Sequence, residues 1–120
     1  MSSVLVVDDD QELLEMVSIA LSSFDFSVHT LSDCEQFFSI LPDIQPDVIL
    51  MDIYLGPCDG RELCRKLKTG ATYSSLPVLL YSAGRIPPDS VTESLADGFM
   101  AKPFNINALF DHLLKLIKNK

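Results

Sequence analysis

Val48-Ile49-Leu50-Met51-Asp52-Ile53-Tyr54-Leu55 sets four apolar residues in a row and then a carboxylate. A run without polar alternation suits a strand covered on both faces, as in a parallel sheet packed between helices. A carboxylate avoids such surroundings unless it is paired or bound to a metal. The run therefore does two things at once. It predicts a buried strand, and it implies a cation near Asp52.

Working outward, the same kind of run recurs. Val4-Leu5-Val6-Val7 is apolar throughout, Val78-Leu79-Leu80-Tyr81 follows Pro77, and Phe99-Met100-Ala101 is the last. Phe26 to Thr30 alternates and suits a less buried strand. Helical patterns lie between them. Residues 11–24 carry Leu13, Val17, Ala20, Leu21 and Phe24 on one face. Ser32-Asp33-Cys34-Glu35 fits a capping box that opens a helix to about Leu41, where Pro42 follows. Asp59-Gly60 ends a loop before a short helix over 61–68, and Pro87-Pro88 lead into another, capped by Asp89 or Ser90. Asn105 caps a final helix with Ile106, Leu109, Leu113 and Ile117 on one face. This alternation predicts an α/β fold, a doubly wound five-stranded parallel sheet flanked by helices.

The 120 residues make one domain, large enough for a real core, and 48% hydrophobic content excludes intrinsic disorder. A net charge of −8 argues against this domain gripping nucleic acid or an anionic membrane by itself and suits metal ions or basic partner surfaces. Arg61, Arg65, Lys66 and Lys68, and again Lys115, Lys118 and Lys120, read as solvated helix faces. Cys34, Cys58 and Cys64 are odd in number and form no C-x-x-C pair, so buried thiols in a reducing compartment are expected. No run approaches membrane-spanning length and no signal peptide opens the chain, which predicts a soluble cytoplasmic protein.

In an open parallel sheet the ligand site lies outside the carboxyl ends of the strands. Asp8 and Asp9 follow the first predicted strand, Asp52 the third, Ser82 the fourth and Lys102 the fifth. Taken singly, each has an ordinary explanation: a helix cap, a structural serine, an exposed lysine. Together they bring three acids, a hydroxyl and an ammonium to one edge. Close carboxylates repel and need a cation, and oxygen ligands that leave room for water suit Mg²⁺. Such a site invites phosphoryl transfer, with a carboxylate as nucleophile.

Over essentially its full length the chain resembles the receiver domain of two-component response regulators. The resemblance rests on VLVVDDD at 4–10, VILMD at 48–52 with Asp59-Gly60 after it, VLLYSA at 78–83, and DGFMAKPF at 97–104. It implies a flavodoxin-like topology with strand order 2-1-3-4-5, and a single receiver domain over 1–120 with no output domain. It implies that Asp52 accepts a phosphoryl group from a sensor histidine kinase or a histidine phosphotransfer protein. Asp9 and Asp52 would hold Mg²⁺ with the backbone carbonyl of Tyr54, and Asp8 through water. Ser82 and Lys102 would bind the phosphoryl group, and Phe99 would take the aromatic switch position. An ordinary strand aromatic is the alternative for Phe99. The domain would act as a switch rather than a conventional enzyme, with an unspecified output partner and a homodimer among its assemblies.

Some features depart from the family pattern. The family usually has a Pro four residues after the phosphoacceptor; here Gly56 stands at that position and Pro57 follows it, which leaves the conformation of that loop open. Tyr54 and Gly84 flank the site as a bulky and a small residue, and Pro87-Pro88 and Leu95 imply a short or displaced fourth helix. A Mg²⁺-dependent aspartyl phosphatase usually has a second acid two residues after its nucleophile, where Tyr54 stands here, and needs a cap that no insertion provides. A degenerate receiver that only binds proteins would not need the full acid, hydroxyl and lysine set. A histidine phosphocarrier fits worse, with His29 in a strand and His112 in the final helix.

Overall fold

The computed structural model describes residues 2–119. Strand β1 (Ser2–Val7) leads to helix α1 (Gln11–Ser22), which opens where Asp10 accepts from the N–H groups of Glu12 and Leu13. Its buried stripe is Leu14, Val17 and Leu21; Leu13, Ala20 and Phe24 stay half-buried, so the inward face is turned from the expected one. Strand β2 (Phe26–Leu31) is half-buried at the sheet edge, as its alternation predicts.

A short 3₁₀ turn (Cys34–Gln36) then precedes helix α2 (Phe37–Ile44). Two expectations are corrected here. Asp33, not a Ser32 capping box, accepts the N–H of Glu35, and Pro42 lies inside α2 rather than ending it. Burial of Phe37 and Leu41, with Ile44 packed on the same core, outweighs the one hydrogen bond that Pro42 cannot donate. The helix stops at Gln45, in the left-handed region at φ 49°.

Strand β3 (Val48–Asp52) is buried along its length. A hairpin of β4 (Tyr54–Leu55) and β5 (Cys58–Asp59) follows, then helix α3 (Gly60–Thr69). The Gly56-Pro57 loop is thereby defined. Gly56 has φ 76° at the first of two loop positions, and a proline at the second fixes φ negative, which is the pattern of a type II′ hairpin turn. Strand β6 (Val78–Ser82), helix α4 (Pro88–Glu93), strand β7 (Gly98–Ala101) and helix α5 (Ile106–Lys118) complete the chain.

The main sheet has the order β2-β1-β3-β6-β7, every neighbouring pair parallel, with the β4–β5 hairpin outside it. Counting the main strands alone, this is the expected 2-1-3-4-5 order. Alternate residues of each buried strand feed two cores. Val7, Ile49, Met51 and Leu80 pack with α2 and α3, and Val4, Val6, Leu50 and Tyr81 pack with α1 and α5.

α4 is short, as expected, but neither Asp89 nor Ser90 caps it. Pro88 occupies the first turn, where a missing N–H costs nothing, and the Ser90 hydroxyl donates to the Pro87 carbonyl. Leu95 takes the left-handed conformation at φ 66°.

Two basic residues are not simply solvated. Arg61 pairs with Asp59 at 2.7 Å and donates to Ser90, tying α3 to α4. Lys68 donates to the Leu76 carbonyl and to Asp97 at 2.7 Å, which fixes the loop before β6.

The cysteine expectation is also corrected. Cys34 and Cys58 form a disulfide, and only Cys64 is a free, buried thiol among the described residues. The partners are 24 residues apart and meet through the path of the chain, which their spacing does not reveal. With that pair joined, the cysteines no longer point to a reducing compartment. Among the described residues no helix is long and apolar enough to cross a membrane.

Candidate functional site

The alternation that builds the core also builds the site. Asp8 continues the series Val4, Val6 beyond the end of β1, and Asp52 continues Val48, Leu50. Both side chains therefore leave the sheet on the face that carries Tyr81. Asp8 is 1% exposed and Asp52 7%. Asp9 is exposed, and one of its carboxylate oxygens lies within 4.8 Å of those offered by Asp8 and Asp52.

Lys102 closes the constellation. Its backbone N–H donates to the Ser82 carbonyl at 2.9 Å, which registers the β7–α5 loop against β6. Its Nζ lies 3.1 Å from Asp8 Oδ2 and 3.2 Å from Asp52 Oδ2, and the peptide bond to Pro103 is cis. One ammonium thus bridges two buried carboxylates. Burial pushes the Asp52 carboxyl above the usual carboxylate range; Lys102 pulls it back in part, and the neighbouring Asp8 charge adds to the rise.

The loop after β3 is held by a close backbone approach. Gly60 N–H donates to the Ile53 carbonyl at 2.7 Å, and a Cβ on Gly60 would sit 2.2 Å from the Asp52 carbonyl oxygen. Only glycine fits there. Tyr54 is 54% exposed, with the Arg61 guanidinium over its ring at 5.9 Å. Its ring edge lies 3.8 Å from where a Cβ on Gly84 would be, so these two residues flank the same opening.

Ser82 is buried at the end of β6, and its Oγ accepts from Gly84 N–H at 3.4 Å. Phe99 is half-buried and packs on the core beneath α2 and α3. It pairs in register with Leu80, two residues before Ser82, so Phe99 and Ser82 share one face of the sheet.

All the residues singled out in the sequence lie at this edge or beside it. Tyr81 was missed. It is fully buried, its hydroxyl donates to Asp8 Oδ2 at 2.6 Å, and its ring lies 4.5 Å from Lys102 Nζ. The available signal was an aromatic residue immediately before Ser82, in an otherwise aliphatic strand.

The donor set fits a small divalent cation. The site has three carboxylates against one ammonium, all hard oxygen donors, with one acid open to solvent.

The response regulator receiver domain model matches residues 4–114. The chain belongs to this family. Among its relatives, this receiver is 35% identical to the response regulator protein GraR of Staphylococcus haemolyticus over 92% of the chain and 49% of GraR. It is 30% identical to protein RcaC of Microchaete diplosiphon over 98% of the chain and 18% of RcaC. The receiver thus spans half or less of the length of these curated relatives. In three dimensions it superposes on the chemotaxis protein CheY4 of Vibrio cholerae with a TM-score of 0.88 at 26% identity, covering 97% of this chain and 98% of that one.

Proposed function

We propose that residues 1–120 act as one receiver unit of a two-component system, in which Asp52 accepts a phosphoryl group from a phosphohistidine. The observation that carries this reading is the single Lys102 ammonium bridging Asp8 and Asp52, with Asp9 alongside. A bridging cation of this kind favours the ionised form of Asp52 against the effect of its burial and waits at the point where phosphoryl charge would arrive.

In the transfer, an Asp52 carboxylate oxygen attacks phosphorus and the phosphorus–nitrogen bond breaks. The electron pair returns to the imidazole nitrogen, and an acyl phosphate remains. Lys102 would turn from the carboxylates to a phosphoryl oxygen, and the Ser82 hydroxyl would donate to another. Asp9 and Asp52, with the Tyr54 carbonyl and with Asp8 through water, would hold Mg²⁺. When bound, Mg²⁺ supplies neutralisation of the phosphoryl charge. Phe99, on the Ser82 face of the sheet, would carry the change toward α4 and α5.

The donor would be a sensor histidine kinase or a histidine phosphotransfer protein, met in the cytoplasm. The relatives RpaA and MtrA are named as DNA-binding. With a net charge of −8, this domain would act on an output partner rather than on DNA itself.

The test is intact-mass measurement after incubation with acetyl phosphate and Mg²⁺. One phosphoryl group should add to the parent and hydrolyse slowly. Asp52→Asn, which keeps the shape without the nucleophile, should add none at that position, and Lys102→Ala should lose most of the uptake while still binding Mg²⁺. A parent that stays unmodified while Mg²⁺ binds would make the chain a protein-binding receiver without phosphotransfer. Continuous turnover of a phosphoester would make it a phosphatase.

A further inference from the structure

Asp8 is almost fully buried, and three donors hold its carboxylate. Asp10 N–H donates to Oδ1 at 2.8 Å, while Oδ2 takes both the Tyr81 hydroxyl at 2.6 Å and Lys102 Nζ at 3.1 Å. Lys102 is the only one of the three that it shares with Asp52. If Lys102 moves to a phosphoryl oxygen, Asp8 loses its one cationic side-chain partner, and only the Tyr81 hydroxyl and the Asp10 N–H still hold it directly. A buried carboxylate that gives up a direct charged partner resists such a move unless its other donors keep it in place.

We propose that Tyr81 is a positioning residue that holds Asp8 when Lys102 swings to the phosphoryl group. The inference rests on the reading of Asp52 as phosphoacceptor. The side chain's two halves have separate tasks. The hydroxyl bond is directional and fixes the Asp8 carboxylate in place. The ring has the ammonium over its face at 4.5 Å, and this attraction extends to about 6 Å from the centroid, so the contact survives a short displacement of Lys102 across the face. The edge-to-face contact of Tyr81 with Phe104, at 5.8 Å between centroids, keeps the ring from turning with it. Lysine thus has a route between two anions, and the anion it leaves stays satisfied.

Tyr81→Phe separates the halves, since it keeps the ring and removes only the hydroxyl. With acetyl phosphate and Mg²⁺, the variant should still reach one phosphoryl group on Asp52, but its rate at saturating donor should fall about tenfold, as for loss of a hydrogen bond to a charged group. The donor concentration giving half the maximal rate should change little. Placed on Asp8→Asn, which has no buried charge to hold, Tyr81→Phe should have no further effect. A merely structural role would slow both backgrounds alike.

A second readout does not depend on activity. The Tyr81 hydroxyl proton should give a slowly exchanging signal in proton NMR that is absent in Tyr81→Phe and persists when beryllium fluoride and Mg²⁺ mimic the phosphoryl group. A parent-like rate in Tyr81→Phe, an equal slowing on Asp8→Asn, or loss of the hydroxyl signal with beryllium fluoride would each overturn the proposal. A parent that takes up no phosphoryl group at all would instead remove the Asp52 reading, and this inference with it.

Discussion

At the scale of single residues, Gly60 and Asp52 constrain each other. A side chain on Gly60 would meet the Asp52 carbonyl oxygen at 2.2 Å, and the obstacle is backbone rather than a side chain that can swing away. Gly60→Ala should therefore destabilise the domain by about 2 kcal/mol or more, in the range of forced backbone shifts. Urea unfolding measures this. Because the displaced backbone belongs to Asp52, uptake of phosphate from acetyl phosphate should fall as well. A variant with parental stability would mean that the loop accommodates the methyl group without moving the site.

At the scale of elements, the β4–β5 hairpin is fastened at both of its sides. Asp59 accepts from Arg61 N–H at 2.8 Å to cap α3, and it also pairs with the Arg61 guanidinium. The Arg61 hydrogen bond is the main reason that the Asp59 carboxyl sits below the usual carboxylate range. Its lowered folded pKa means that the stabilisation is present above the ordinary carboxylate pKa and is lost as the pH falls through the folded value. Asp59→Ala should cost about 1 kcal/mol at neutral pH. The gap from the parent should shrink as urea unfolding is repeated at falling pH, and a gap independent of pH would refute the charged cap.

The disulfide fastens the other side, joining Cys58 of the hairpin to Cys34 at the start of the 3₁₀ turn. Thiol titration of the denatured chain should find Cys64 alone before reduction and all three cysteines after it. Closing a 24-residue separation should add about 3 kcal/mol to stability by constraining the unfolded chain. Three titratable thiols without reductant would show that the pair does not form.

At the scale of the whole molecule, the acids at the sheet edge should link cation binding to folding. Mg²⁺ should raise the melting temperature with a logarithmic dependence on its concentration, since the unfolded chain holds no such cluster. Asp9→Ala should lose most of that response, and an identical response in variant and parent would remove Asp9 from the metal site. Activation should also reach across the sheet. Amide exchange with a phosphoryl mimic should change near Phe99 and α5 as well as near Asp52, whereas changes confined to the loops around Asp52 and Ser82 would count against a switch.

The sequence by itself determined the strand runs, their parallel burial and the edge at which Asp8, Asp9, Asp52, Ser82 and Lys102 gather. Those features follow from local rules: uniform apolar runs for doubly covered strands, and polar residues at strand ends. Helix ends were less legible. Pro42 stays within α2 because core packing outweighs a local propensity. The long-range contacts that finish the site and fasten the loops were decided only by the tertiary structure. Tyr81 reaches Asp8 across 73 residues, Cys34 meets Cys58 across 24, and Lys68 meets Asp97 across 29. Each depends on the register of parallel neighbours and on the path of a connecting loop, and no short window of sequence encodes either. The strand period would have put Tyr81 on the face of Asp8 and Asp52, but only the pairing of β3 with both β1 and β6 brings its hydroxyl to Asp8.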